Sequence, residues 1–145
     1  MLRSLVGSEM CIRDRASTGL QYSRKFNMQL SSKMRFVSAQ LIALLEGDLW
    51  LRNAQHANAM AQRLRGAIEA GIAAGEITGV SFTQPTQSNG VFATLPDGIA
   101  DRLREKFRFY DWDAARNEVR WMCGFDTEES DVDEFVAELA RLTTR

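Results

Sequence analysis

Apolar residues begin to recur at helical spacing at Met34, where Phe36, Val37, Leu41, Leu44 and Leu45 predict a helix that Gly47 interrupts. Asp48 is placed to cap a second helix, because a carboxylate there accepts the orphan amides of a first turn. That helix is predicted over about Leu49 to Ala70, with Trp50, Ala54, Ala57, Met60, Ala61, Leu64 and Ile68 along one stripe. The Gly71 to Gly75 stretch supplies its stop. The period then shortens. Ile77 to Gln84 and Gly90 to Leu95, rich in Val, Phe, Ile and Thr, flank the turn cluster PTQSN and predict an antiparallel hairpin. Pro96-Asp97 opens a helix to about Lys106. Phe107 to Trp112 and Glu118 to Cys123 predict two more strands joined at Asp113 to Asn117. Glu128 to Leu142 closes the pattern as a helix with Val132, Phe135, Val136, Leu139 and Leu142 in register. Its acidic start and Arg141 near its end both suit the helix dipole. The expected class is α+β: an antiparallel sheet of hairpin-like pairs covered on one face by helices.

Composition narrows the function classes more than it names one. The 145 residues carry 18 Lys+Arg against 19 Asp+Glu, so no basic field recommends a nucleic acid as partner. No apolar run reaches the roughly eighteen residues that a membrane helix needs. Two cysteines, Cys11 and Cys123, make no disulfide framework, and with the one histidine they show no zinc-ligand spacing. The composition fits a mildly acidic cytoplasmic protein. The opening MLRSLVGSEMCIRDR matches neither a secretory signal nor an amphipathic helix. It resembles translated adapter read-through, so residues 1–15 are expected to be a non-native leader on a piece of a longer protein. Without them the balance is 15 basic to 17 acidic residues, a net −2, and Cys123 is the cysteine left.

No nucleophile motif, phosphate loop or metal constellation stands out. His56 lies mid-helix without an identifiable partner, Cys123 beside Trp121 suits a small buried hydrophobe, and Asp126 to Glu134 suits a solvated helix start. Arg120 is the better candidate. In Val119-Arg120-Trp121-Met122-Cys123 the odd positions face one way and Arg120 the other. It is either a solvent-facing or salt-bridged arginine, or a bidentate clamp for a carboxylate, the geometry that guanidinium suits best.

Three segments, SSKMRFVSAQLIALLEGDLWLRNAQHANAMAQRL, QSNGVFATLP and FRFYDWDAARNEVRWMCGFDT, together resemble the C-terminal part of low-specificity L-threonine aldolases. The likeness covers residues 20 to 142. It implies the small C-terminal domain of the aspartate-aminotransferase-like fold of pyridoxal-phosphate enzymes over 76–145, preceded by connecting helices over 16–75. The implied activity is cleavage of threonine or allo-threonine to glycine and an aldehyde, with pyridoxal phosphate as electron sink. Arg120 then corresponds to the anchor of the substrate α-carboxylate. Lys25 corresponds to a basic residue near the active-site entrance, although glycines usual after it are replaced by Phe26, Asn27 and Met28, and a surface lysine is the other reading. Lys33 and Arg35 are assigned structural or interface roles. The cofactor-binding lysine, the stacking histidine and the aspartate that pairs with the ring nitrogen all fall upstream, so no catalytic residue is expected in this chain. The resemblance also implies a small amino-acid substrate and a homodimeric or homotetrameric parent. The competing expectation is a stand-alone, non-catalytic α+β binding or regulatory domain, which should lack a large exposed apolar surface.

Overall fold

The computed structural model of the chain describes residues 19–29 and 32–144. The expected leader at 1–15 lies outside the described residues. The chain divides into two units, one ending at Glu46 and the other running from Gly47.

In the first unit α1 spans Leu20–Phe26 and α2 spans Met34–Leu45. The sequence places α2 correctly, but none of its residues is buried. Phe36, Val37, Leu41, Ile42 and Leu45 are all exposed.

The second unit begins with the long helix α3, Leu49–Ala74. Its buried residues Ala57, Met60, Ala61, Leu64 and Ile68 are the C-terminal part of the stripe read from the sequence, whereas Trp50 and Ala54, expected in the same stripe, are exposed. Asp48 does not cap it: its backbone is left-handed (φ 61°) and its carboxylate accepts nothing from the first turn. Side-chain capping needs an extended backbone at that position, which explains the difference. The helix also runs past Gly71. That glycine is buried against Ile77, where a Cβ would meet Cδ1 at 2.7 Å, so it serves close packing. The stop is Gly75, left-handed at φ 76°, whose N–H reaches back to the carbonyls of Gly71 and Ile72.

Four strands follow: β1 Ser81–Phe82, β2 Gly90–Thr94, β3 Tyr110–Asp113 and β4 Glu118–Met122. They pair antiparallel in the order β1-β2-β4-β3. The expected first strand, 77–84, shrinks to two residues, because Ile77 and Val80 enter the core from the loop after α3. Their apolarity therefore reports burial and not strand geometry. The third strand likewise starts at Tyr110, since Phe107 and Phe109 turn inward against the core. Between β2 and β3 lies a short helix, α4, Ile99–Arg104, which begins after Pro96-Asp97 and ends before Lys106.

The last helix, α5, spans Glu129–Thr143 and is capped reciprocally by Glu128 and Asp131. In that cap Glu128 N–H donates to Asp131 Oδ2 at 2.8 Å. Val132, Phe135, Leu139 and Leu142 project from α5 into one core with the α3 stripe, Leu103 of α4, and Val91, Ala93, Val119 and Trp121 of the sheet. Each large aliphatic buried there contributes about 1.5–3 kcal/mol. Edge-to-face pairs of Phe107 and Trp121 with Phe135, centroids 5.0 and 5.1 Å apart, bind the segment before β3 and strand β4 to α5. The class is α+β, with helices on one face of a four-stranded antiparallel sheet.

Candidate functional site on the open face of the sheet

Alternation along β4 buries Val119 and Trp121 under the helices and leaves Arg120 half-buried on the other face, with Met122 exposed. On β2 the same alternation buries Val91 and Ala93 and turns Phe92 outward. Register brings Phe92 and Tyr110 to either side of Arg120. The Trp112 ring lies under the guanidinium, 5.2 Å from Cζ to centroid. Phe92 meets Trp112 edge-on at 5.1 Å and 79°.

Among the described residues no carboxylate pairs with Arg120. The acid two residues before it, Glu118, is buried and accepts the Thr83 hydroxyl instead. Elsewhere arginines are neutralised: Arg63 by Glu129 and Asp133, Arg65 by Glu69, Arg104 by Asp101 and Asp111, Arg141 by Glu138. Arg120 is thus half-buried and, among the described residues, makes no ion pair. What remains on this face is a guanidinium over an aromatic ring, a group whose in-plane N–H donors suit a carboxylate.

The other candidates have structural places. Lys25 sits exposed in the last turn of α1, in the first unit, whereas Arg120 belongs to the second. Lys33 takes the residue before α2 with a left-handed backbone, and Arg35 stacks on Phe36 at 5.0 Å. His56 Nε2 lies 2.8 Å from the Thr127 carbonyl oxygen and ties α3 to the loop before α5. Cys123 is buried, and burial pushes its thiol above the ordinary value of 9.0. The acidic stretch is spent on the α5 cap, on Arg63, and on an ion pair of Glu134 with Lys106 at 2.6 Å. Among the described residues no cluster of His, Cys, Asp and Glu could hold a metal ion.

A cavity of about 250 Å³ opens under the helices, walled by Leu64, Phe107, Phe109, Trp121, Val132 and Phe135; Arg120 does not line it. Sequence reasoning missed Trp112 and Phe92. The alternation that exposes Phe92 was available, and the same period of two sets Tyr110 and Trp112 on one face of the expected strand.

No family profile matches the chain. It is, however, 41% identical over 112 residues to a low specificity L-threonine aldolase of Pseudomonas sp. (strain NCIMB 10558), a match over 77% of this chain. Over 114 residues it is 39% identical to the protein of that name from Pseudomonas aeruginosa. This chain is similar in sequence to threonine aldolases. It spans 30% of the length of these curated relatives. The fold agrees: a threonine aldolase structure from Leishmania major superposes with a TM-score of 0.59 at 26% identity. That superposition covers 70% of this chain and 28% of the Leishmania chain. The threonine-aldolase likeness thus rests on sequence and on three-dimensional structure alike.

Proposed function

We propose that this chain is the carboxylate-anchoring C-terminal part of a pyridoxal-phosphate-dependent aldolase that cleaves threonine or allo-threonine to glycine and an aldehyde. One observation carries the reading: the Arg120 guanidinium stands on the face of the sheet opposite the helices, over the Trp112 ring and, among the described residues, paired with no acid. Two parallel N–H groups of the guanidinium grip the α-carboxylate of the substrate. Charge-assisted bonds of this kind contribute about 1.5–3 kcal/mol. Gripping the carboxylate also fixes the orientation of the bonds at Cα, which is where positioning accelerates a cleavage.

The residues of this chain do not fit the cofactor itself. Its three lysines are Lys25, Lys33 and Lys106, and Lys106 is occupied by Glu134. No catalytic step is therefore assigned here, and the cofactor is assigned to the rest of the aldolase. Residues 16–75 serve as connecting helices to that part, residues 76–145 as the small domain, and Lys25 as a basic group at the site entrance. The intact protein is a cytoplasmic homodimer or homotetramer. The exposed apolar surface of α2 speaks against a finished stand-alone domain.

The test is a chimera in which residues 32–144 replace the matching segment of the Pseudomonas low specificity L-threonine aldolase. It should release glycine from threonine, while the 145-residue chain alone should release none. Arg120→Lys in the chimera should lower kcat/KM about tenfold or more, chiefly through KM, because a lysine offers no planar fork. Turnover by the isolated chain, or an Arg120→Lys chimera with unchanged kinetics, would overturn the proposal.

A further inference from the structure

We infer that Trp112 is a positioning residue for Arg120, holding the guanidinium flat so that its N–H edge faces an incoming carboxylate. The inference rests on the reading of Arg120 as that anchor. It begins with an irregularity in the sheet. Tyr110 pairs with Arg120 and Asp111 with Val119, but the next partner, Glu118, belongs to Asp113. Trp112 is the extra residue of a bulge between β3 and β4. Trp112, two residues after Tyr110, lies on the Arg120 face with its ring centroid 5.2 Å from Arg120 Cζ. Phe92, beside Arg120 in the register, braces that ring edge-on at 5.1 Å.

The chemistry of a guanidinium makes this stack useful. All five of its N–H bonds lie in the molecular plane, so covering one face removes no donor. The ring attracts the cation and limits its rotamers, so less freedom remains to be lost when a carboxylate binds. The neighbouring acids are also engaged elsewhere. Glu118 accepts from Thr83, Asp111 from Arg104, and Asp113 Oδ1 from the Ala115 N–H at 3.0 Å. Among the described residues no carboxylate pairs with the fork. Trp112 nevertheless stays 53% exposed, so its burial alone does not explain a tryptophan there.

The experiment uses the full chain labelled with 15N and follows the Arg120 Nε–Hε resonance during titration with sodium acetate at constant ionic strength. The wild-type resonance should lie upfield through the indole ring current and shift saturably with acetate. Trp112→Leu should abolish the upfield position and weaken acetate binding about two- to fivefold. Trp112→Phe, which keeps an aromatic face, should restore most of both, and an otherwise unchanged amide spectrum reports that each variant is folded. An acetate response equally strong in Trp112→Leu overturns the positioning role while leaving the anchor standing. A wild-type resonance that is ring-shifted but indifferent to acetate overturns the anchor, and the use of the stack with it.

Discussion

The two faces of one strand behave as if they belonged to different proteins. In β4, Val119 and Trp121 are 0% and 3% exposed beneath α3 and α5, whereas Arg120 and Met122 look out from the opposite side. Both sets share the same backbone ladder to β2. The difference lies in what packs on each face. One face is closed by aliphatic and aromatic side chains and determines stability. The other holds a cation over an aromatic ring that, among the described residues, pairs with no acid. Stability and recognition should therefore separate cleanly under mutation.

The largest effect belongs to the covered face. Leu139 is fully buried at the middle of the α5 stripe. Leu139→Ala removes its contacts and leaves a cavity, and should cost about 2–5 kcal/mol in urea unfolding. A loss below about 1 kcal/mol would mean that this face is not one tightly packed core.

How far this division was visible in the sequence depends on what each residue answers to. Helix α5 was legible because its apolar positions keep a strict helical period and its polar ones point away. Helix α2 was equally legible as a helix, yet its apolar residues fall on almost every side and none is buried. Periodicity thus located both helices but could not say what α2 packs against. Ile77 and Val80 misled because a buried loop and a strand call for the same residue types. On the site side, the outward direction of Arg120 followed from simple alternation. The bulge between Asp111 and Asp113 did not, since a bulge changes register without changing composition. That Glu118 would bond Thr83 and not Arg120 depends on side chains 35 residues apart and has no local signal.

A smaller effect on the covered face comes from pH. Burial raises the Cys123 thiol above 9.0, so the folded chain holds this proton at a pH where the unfolded chain has begun to release it. The sign follows. The contribution of the neutral thiol is complete below 9.0 and is lost as pH rises from there through the higher native value. The urea midpoint should decline over that range, and Cys123→Ala should remove part of the slope. An identical slope in both proteins would mean that the buried thiol does not govern alkaline stability.

The smallest expected change is the most informative, because it tests the open face with the ruler of the covered one. Arg120 is half-buried, makes no ion pair among the described residues, and touches the Trp112 ring through a cation–π contact that a lysine ammonium can also make. Arg120→Lys should therefore leave urea stability within about 0.5 kcal/mol of wild type. The same substitution removes the planar pair of donors and should markedly weaken carboxylate binding. A destabilisation comparable to that of Leu139→Ala would show that Arg120 is a packing residue and that both faces of the sheet hold the fold together. A silent effect on stability joined to a loss of carboxylate binding assigns the open face to recognition, because an arginine that the fold does not need for its own stability is free to meet a ligand.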